Sequence, residues 1–145
     1  MSVLIVGSIA YDSVESPAGS VDRALGGSAT YGGLSCRIIQ SLHGSNTAGL
    51  VGVVGEDFAP DDRALLASAG LNLDGLEVAA GETFRWEGAY RGAMAEAETR
   101  ATHLNVFEHF QPVVPEGLRK PTVLFCANLH PDLQRSVIDQ TEPQR

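Results

Sequence analysis

Asp12 and the adjacent pair Gly26-Gly27 are where this sequence offers chemistry. Asp12 follows the apolar run Val3-Leu4-Ile5-Val6, which reads as a buried strand, and open α/β sheets bind ligands beyond the carboxyl ends of their strands. An ionised carboxylate accepts hydrogen bonds from two hydroxyls, so Asp12 suits a sugar diol; a turn or capping aspartate is the plain alternative. Gly26-Gly27 stands just before Ser28-Ala29-Thr30-Tyr31, which opens a helix. Backbone without side chains at a helix start lets N–H groups meet substrate oxygens, and a simple turn is the alternative. Asn128, after the apolar run that ends at Cys126, can reach the same pocket or serve as a strand-end turn residue.

Other chemistries are poorly served. Gly7-Ser8-Ile9-Ala10-Tyr11-Asp12 lacks the later glycines of a dinucleotide fingerprint, and no Walker A sequence occurs. His43, His103, His109 and His130 show no metal-ligand spacing, so no metal site is expected. Glu56 and Asp57 are adjacent, which rarely lets two carboxylates converge, and a turn role is expected of them. Phe84, Trp86 and Tyr90 share one side of an alternating segment, where they either cover a ligand or pack as sheet and subunit contacts.

The elements that position these residues begin with a strand over 2–8. Extended pieces at 13–16 and 21–25 flank Pro17-Ala18-Gly19, a turn signal, and read as a hairpin leaving the core. A helix is predicted over 28–42, with Leu34, Ile38 and Leu42 on one face. Gly32 and Gly33 weaken it by about 1 kcal/mol each, which fits close backbone packing. A buried strand over 47–54 and a short helix over 60–69 follow, with Pro60 in its first turn and Gly70 as its stop. This alternation points to parallel strands. The period then drops to two: Thr83–Arg91 and 99–106 read as strands with one wet face, and 76–79 pairs with the first through Ala80-Gly81-Glu82. A third buried strand over 122–127 and a helix over 131–140, with Leu133, Val137 and Ile138 inward, end the chain.

Composition narrows the partners. The 145 residues suffice for one domain with a core, and a net charge of −8 disfavours nucleic acid and anionic membrane surfaces. Cys36 and Cys126 sit in apolar contexts and read as free thiols, which fits a reducing cytoplasm. No secretory signal is recognisable, and no window approaches 18 apolar residues.

With these residues assembled, the chain resembles the N-terminal half of the PfkB-type, ribokinase-like carbohydrate kinases. The matching stretches are Val3–Ser8 through Asp12, Leu25-Gly26-Gly27-Ser28-Ala29, Val51-Gly52-Val53-Val54-Gly55-Glu56-Asp57-Phe58, and the Ala69-Gly70-Leu71 turn. The resemblance implies an α/β fold: a parallel sheet with flanking helices at 1–12, 26–74 and 105–145, and a projecting β-sheet lid at 13–25 and 75–104. It also implies phosphoryl transfer from ATP, with Mg²⁺, to a sugar or nucleoside hydroxyl. Asp12 would hold substrate hydroxyls, Gly26 and Gly27 would line the pocket, and the lid, carrying Phe84, Trp86 and Tyr90, would cover it and could pair two copies into a homodimer. Two positions depart from the family: Ala10 and Tyr31 stand where it often has sugar-contacting asparagines. The family's Asp-Thr-x-Gly-Ala-Gly-Asp segment, which supplies the anion hole and the base, does not occur. The expectation is a chain truncated before the C-terminal nucleotide-binding half. It would carry no catalytic residue, bind no ATP or Mg²⁺ and be inactive alone. A non-catalytic binding or dimerisation module is the alternative.

Overall fold

The computed structural model describes residues 1–42, 44, 47–93 and 96–144. His43 and Arg145 lie outside them. Two four-stranded sheets organise the chain. The core sheet has the order β5-β4-β1-β8 and every pair in it is parallel: β1 (Ser2–Val6), β4 (Thr47–Gly55), β5 (Leu71–Ala79) and β8 (Val123–Cys126). The second sheet has the order β3-β2-β6-β7, with β2 (Ala10–Ser16), β3 (Gly19–Gly26), β6 (Phe84–Tyr90) and β7 (Ala97–His103). Its outer pairs are antiparallel and its central pair, β2 with β6, is parallel.

The central strands β1 and β4 are covered on both faces, which is why they read as unbroken apolar runs. Alternate residues of β1 go to opposite sides. Ile5 joins Leu50, Val54 and Leu66 beneath α1 (Ser28–Ser41) and α2 (Pro60–Ser68). Leu4 and Val6 join Val51, Val53, Phe110 and Val137 beneath α3 (Pro131–Asp139). Pro60 stands at the start of α2, and Gly70 follows its end with φ 85, a left-handed turn that glycine takes without strain.

Three expectations change. Leu76–Ala79 does not pair with the strand after it: Leu71–Ala79 is one strand, paired with β4, so the core sheet has four strands where the sequence suggested three. The alternation over 99–106 ends at His103, because Asn105 adopts φ 50 and opens a 3-10 turn over Asn105–His109. Ile38 and Leu42, predicted to share a face with Leu34, are exposed, as is Ile138. The buried residues of α1 are Ala29, Thr30, Gly33 and Gln40, and Leu34 and Cys36 pack against the same core. Gly32 and Gly33 do sit at close approaches, but to side chains: a Cβ at Gly33 would stand 2.9 Å from Leu50 Cδ2, and one at Gly32 would stand 3.2 Å from Phe125.

Candidate functional site

From the carboxyl end of β1 the chain passes through Gly7-Ser8-Ile9 and crosses directly into β2. Asp12 is therefore the third residue of a strand in the second sheet, opposite Ala24 on β3 and Trp86 on β6. Strand alternation puts Ala10 and Asp12 on one face and Tyr11 on the other. Tyr11 anchors the strand from behind. Its hydroxyl donates to Asp62 Oδ2 at 2.6 Å and accepts from the Ala59 N–H at 2.9 Å, and its ring tilts against Phe58. Burial, reinforced by the bond to Asp62, pushes the Tyr11 phenol up.

The Asp12 carboxylate lies over the backbone of Gly26: any Cβ at position 26 would fall on its oxygens. Burial alone pushes the Asp12 carboxyl above the usual range. Its oxygens make no hydrogen bond or ion pair with a described residue. A half-buried carboxylate without a protein partner is ready to accept from a ligand.

Gly27 caps α1 with φ 96, and a Cβ there would stand 2.8 Å from Ile9 Cα. Only glycine lets the helix start approach the segment leaving β1. The donors behind it are already used. The Ser28 N–H donates to Ser8 Oγ at 3.1 Å and the Ala29 N–H to the Ser8 carbonyl at 2.9 Å. The Gly27 N–H has no acceptor among the described residues. Ser28 Oγ in turn accepts from the N–H groups of Ser8 and Asn128, both at 3.2 Å. One hydroxyl thus ties together the ends of β1 and β8 and the start of α1.

Asn128 is brought to this junction through its backbone, while its side chain is exposed. Tyr31 lies on α1 with 59% of its surface exposed, outside these contacts. On the second sheet, Phe84 stacks against Phe107 with ring centroids 5.4 Å apart. Trp86 lies flat over Gly88, where any Cβ would collide with the indole, and its Nε1 donates to Thr99 Oγ1 at 3.3 Å. Tyr90 is at the far end of β6, opposite Ala97. Register places Trp86 beside Asp12 on the shared face.

Ser8 and Ser28 are the residues that sequence reasoning passed over, and Asp57 was expected only to serve a turn. A serine at each side of the strand-to-helix junction was the available signal, since such hydroxyls serve helix starts. A cavity of about 300 Å³ lies at the opposite end of the core sheet, lined by Ser2, Thr47, Gly49, Asn72 and Leu118 among others. Among the described residues, no three His, Cys, Asp or Glu side chains group as a metal site requires, and no helix is long and apolar enough to cross a membrane.

No known family profile and no curated protein matches the chain. Solved structures do. A nucleoside kinase of Burkholderia thailandensis in complex with inosine is 19% identical with a TM-score of 0.58, covering 71% of this chain and 36% of its own. Ribokinase from Cryptococcus neoformans var. grubii in complex with ADP is 17% identical with a TM-score of 0.61, at 86% and 40% coverage. The nucleoside kinase of Methanocaldococcus jannaschii, an archaeal member of the ribokinase family, is 13% identical with a TM-score of 0.62, at 97% and 58% coverage. This chain therefore spans less than two thirds of the length of the structures it matches, and what it shares with them is the ribokinase-like fold: a parallel α/β sheet with a second sheet beside it.

Proposed function

We propose that the chain is the acceptor-binding portion of a sugar or nucleoside kinase, with the second sheet as its lid. The observation that carries this reading is the Asp12 carboxylate: half-buried, unpartnered among the described residues, seated on the bare backbone of Gly26 beside the free Gly27 N–H. Asp12 accepts from two substrate hydroxyls, the Gly27 N–H donates to a substrate oxygen, and the Trp86 indole supplies an apolar surface for one face of the ring.

The helix-start donors of Ser28 and Ala29 go to Ser8, which leaves neither for a nucleotide phosphate. In this reading the donor nucleotide and the base act from residues outside this chain, and the chain alone transfers no phosphoryl group. A pairing of two copies through the second sheet would use its edge strands β3 and β7, and cytoplasmic residence accords with two free cysteines.

The test is ligand binding by the 145-residue chain, with a panel of pentoses, hexoses and nucleosides followed by amide NMR shifts. One class should shift amides of 10–12, 26–29 and 84–88, and Asp12→Asn should weaken that binding at least about tenfold, the scale of losing a charged hydrogen-bond acceptor. Binding indifferent to Asp12, or no polyol binding at all, sinks the reading.

A further inference from the structure

Among the described residues only two that are not glycine adopt a left-handed backbone, Arg23 at φ 53 and Asn105 at φ 50. Arginine rarely takes that conformation unless its contacts hold it there, while asparagine takes it more readily. Both lead to the same place. Arg23 Nη2 reaches Asp57 Oδ2 at 3.1 Å, with its guanidinium 4.5 Å from the centre of the Tyr11 ring. Asn105 Nδ2 donates to the Thr83 carbonyl at 2.9 Å. Thr83 is fully buried and is itself fastened to Asp57: its N–H and its hydroxyl both donate to Asp57 Oδ1 at 2.7 Å. The Thr83 hydroxyl also accepts from the Gly55 N–H at 3.0 Å, at the end of β4.

One carboxylate in the turn after β4 therefore grips the second sheet at two separated points: β3 through Arg23, and the start of β6 through Thr83. The first point is a β-bulge beside Asp12. Asp12 opposes Ala24 and Val14 opposes Val21, so Asp22 and Arg23 together face Ser13. A bulge rotates the neighbouring side chains, and its geometry sets where they aim. The second point lies three residues before Trp86. Burial pushes the Asp57 carboxyl up, but the donors of Thr83 and the Arg23 guanidinium outweigh it and hold the group below the usual carboxylate range.

We infer that Asp57 is a positioning residue. By pinning the Arg23 bulge and Thr83 to the end of β4, it fixes the angle of the second sheet on the core and so sets how Asp12, with Trp86 beside it in register, meets the start of α1 at Gly27. This deepens the acceptor-site reading and rests on it for its use, but the geometry can be tested without any ligand. The Arg23–Asp57 pair is partly open to solvent, with side-chain exposures of 38% and 24%, so its value lies in the orientation it imposes more than in its strength.

The experiment is hydrogen exchange on the full chain together with acrylamide quenching of Trp86, the only tryptophan in the sequence. In Asp57→Ala, amides of 10–16 and 84–90 should exchange about tenfold faster while those of 2–6 and 47–53 keep their protection, and Trp86 should become easier to quench. Arg23→Ala removes only the partly exposed grip and should loosen 10–16 and 20–26 alone, which keeps the test decisive if Asp57→Ala does not fold. Equal acceleration in both sheets would show that Asp57 contributes general stability only, and unchanged exchange in the second sheet would show that the pin is idle; either result overturns the inference. Failure of polyol binding would leave these rates untouched, so the two readings fail separately.

Discussion

Asp12 is placed where folding gains nothing from it. A carboxylate that loses water and gains no partner raises the free energy of the folded chain, and burial is the cause of its raised pKa. The sign follows. The folded chain holds the Asp12 proton more tightly than the unfolded chain, so stability falls as pH climbs from the ordinary carboxylate range through the raised value, and the full cost is present above it. Asp12→Asn, which keeps the shape and removes the charge, should therefore melt a few degrees higher than the parent near neutral pH, with the gap closing toward pH ~2–3, below the ordinary carboxylate range, where both are largely uncharged. Thermal melts across that range check it, and a variant that melts lower at neutral pH would mean that the carboxylate is satisfied within the fold. Gly26 shows the same priority: a side chain there would help the strand but displace the acid.

Ser28 joins three elements through one hydroxyl, accepting from Ser8 and Asn128 and lying 3.1 Å from Ser8 Oγ. Ser28→Ala leaves those two N–H donors without their acceptor at the junction of β1, α1 and β8, a loss of roughly 1–3 kcal/mol readable in urea melts. A change within a few tenths of a kcal/mol would mean that water replaces the hydroxyl. Much of the element plan is legible in the sequence. The apolar run of β1, the proline and glycine that bracket α2, and the alternation of Phe84, Trp86 and Tyr90 each state one local rule. The misread elements obey two rules at once. β5 is an edge strand, so Asn72, Asp74 and Glu77 face solvent as they would in an antiparallel sheet, and a register shift between Gly49 and Val51 breaks its period. Asn105 gives no sign in its neighbours that its backbone will turn left-handed. At the site, Asp12 and the two glycines stand out by residue type, whereas Ser28 and Asp57 matter through partners 20 to 100 positions away, a separation that no local pattern encodes.

Across the whole molecule, α1 turns several small residues inward and several large apolar ones outward, although Leu34 and Gln40 also pack inward. Ala29, Gly32 and Gly33 meet the core sheet, while Tyr31, Ile38, Ile39 and Leu42 are between 58% and 76% exposed. An ordinary surface helix shows the reverse. Beside it runs β8, an edge of the core sheet with β1 as its only strand neighbour among the described residues, and Phe125 on it is 49% exposed. Phe125 also lies beside the α1 flank at Gly32, so exposed apolar side chains stand on two adjoining elements. Surfaces of this kind are normally covered, and an unpaired strand edge next to one invites association. The 145-residue chain should therefore enhance the fluorescence of an apolar dye in its native state and self-associate as concentration rises. Replacing Ile38 and Leu42 together by glutamate should reduce both effects with little loss of stability, because neither side chain is in the core. Sedimentation velocity across a concentration series decides it. A parent chain that stays monomeric and dye-silent would mean that this face is tolerated by water, and the inverted distribution of α1 would then need a different explanation.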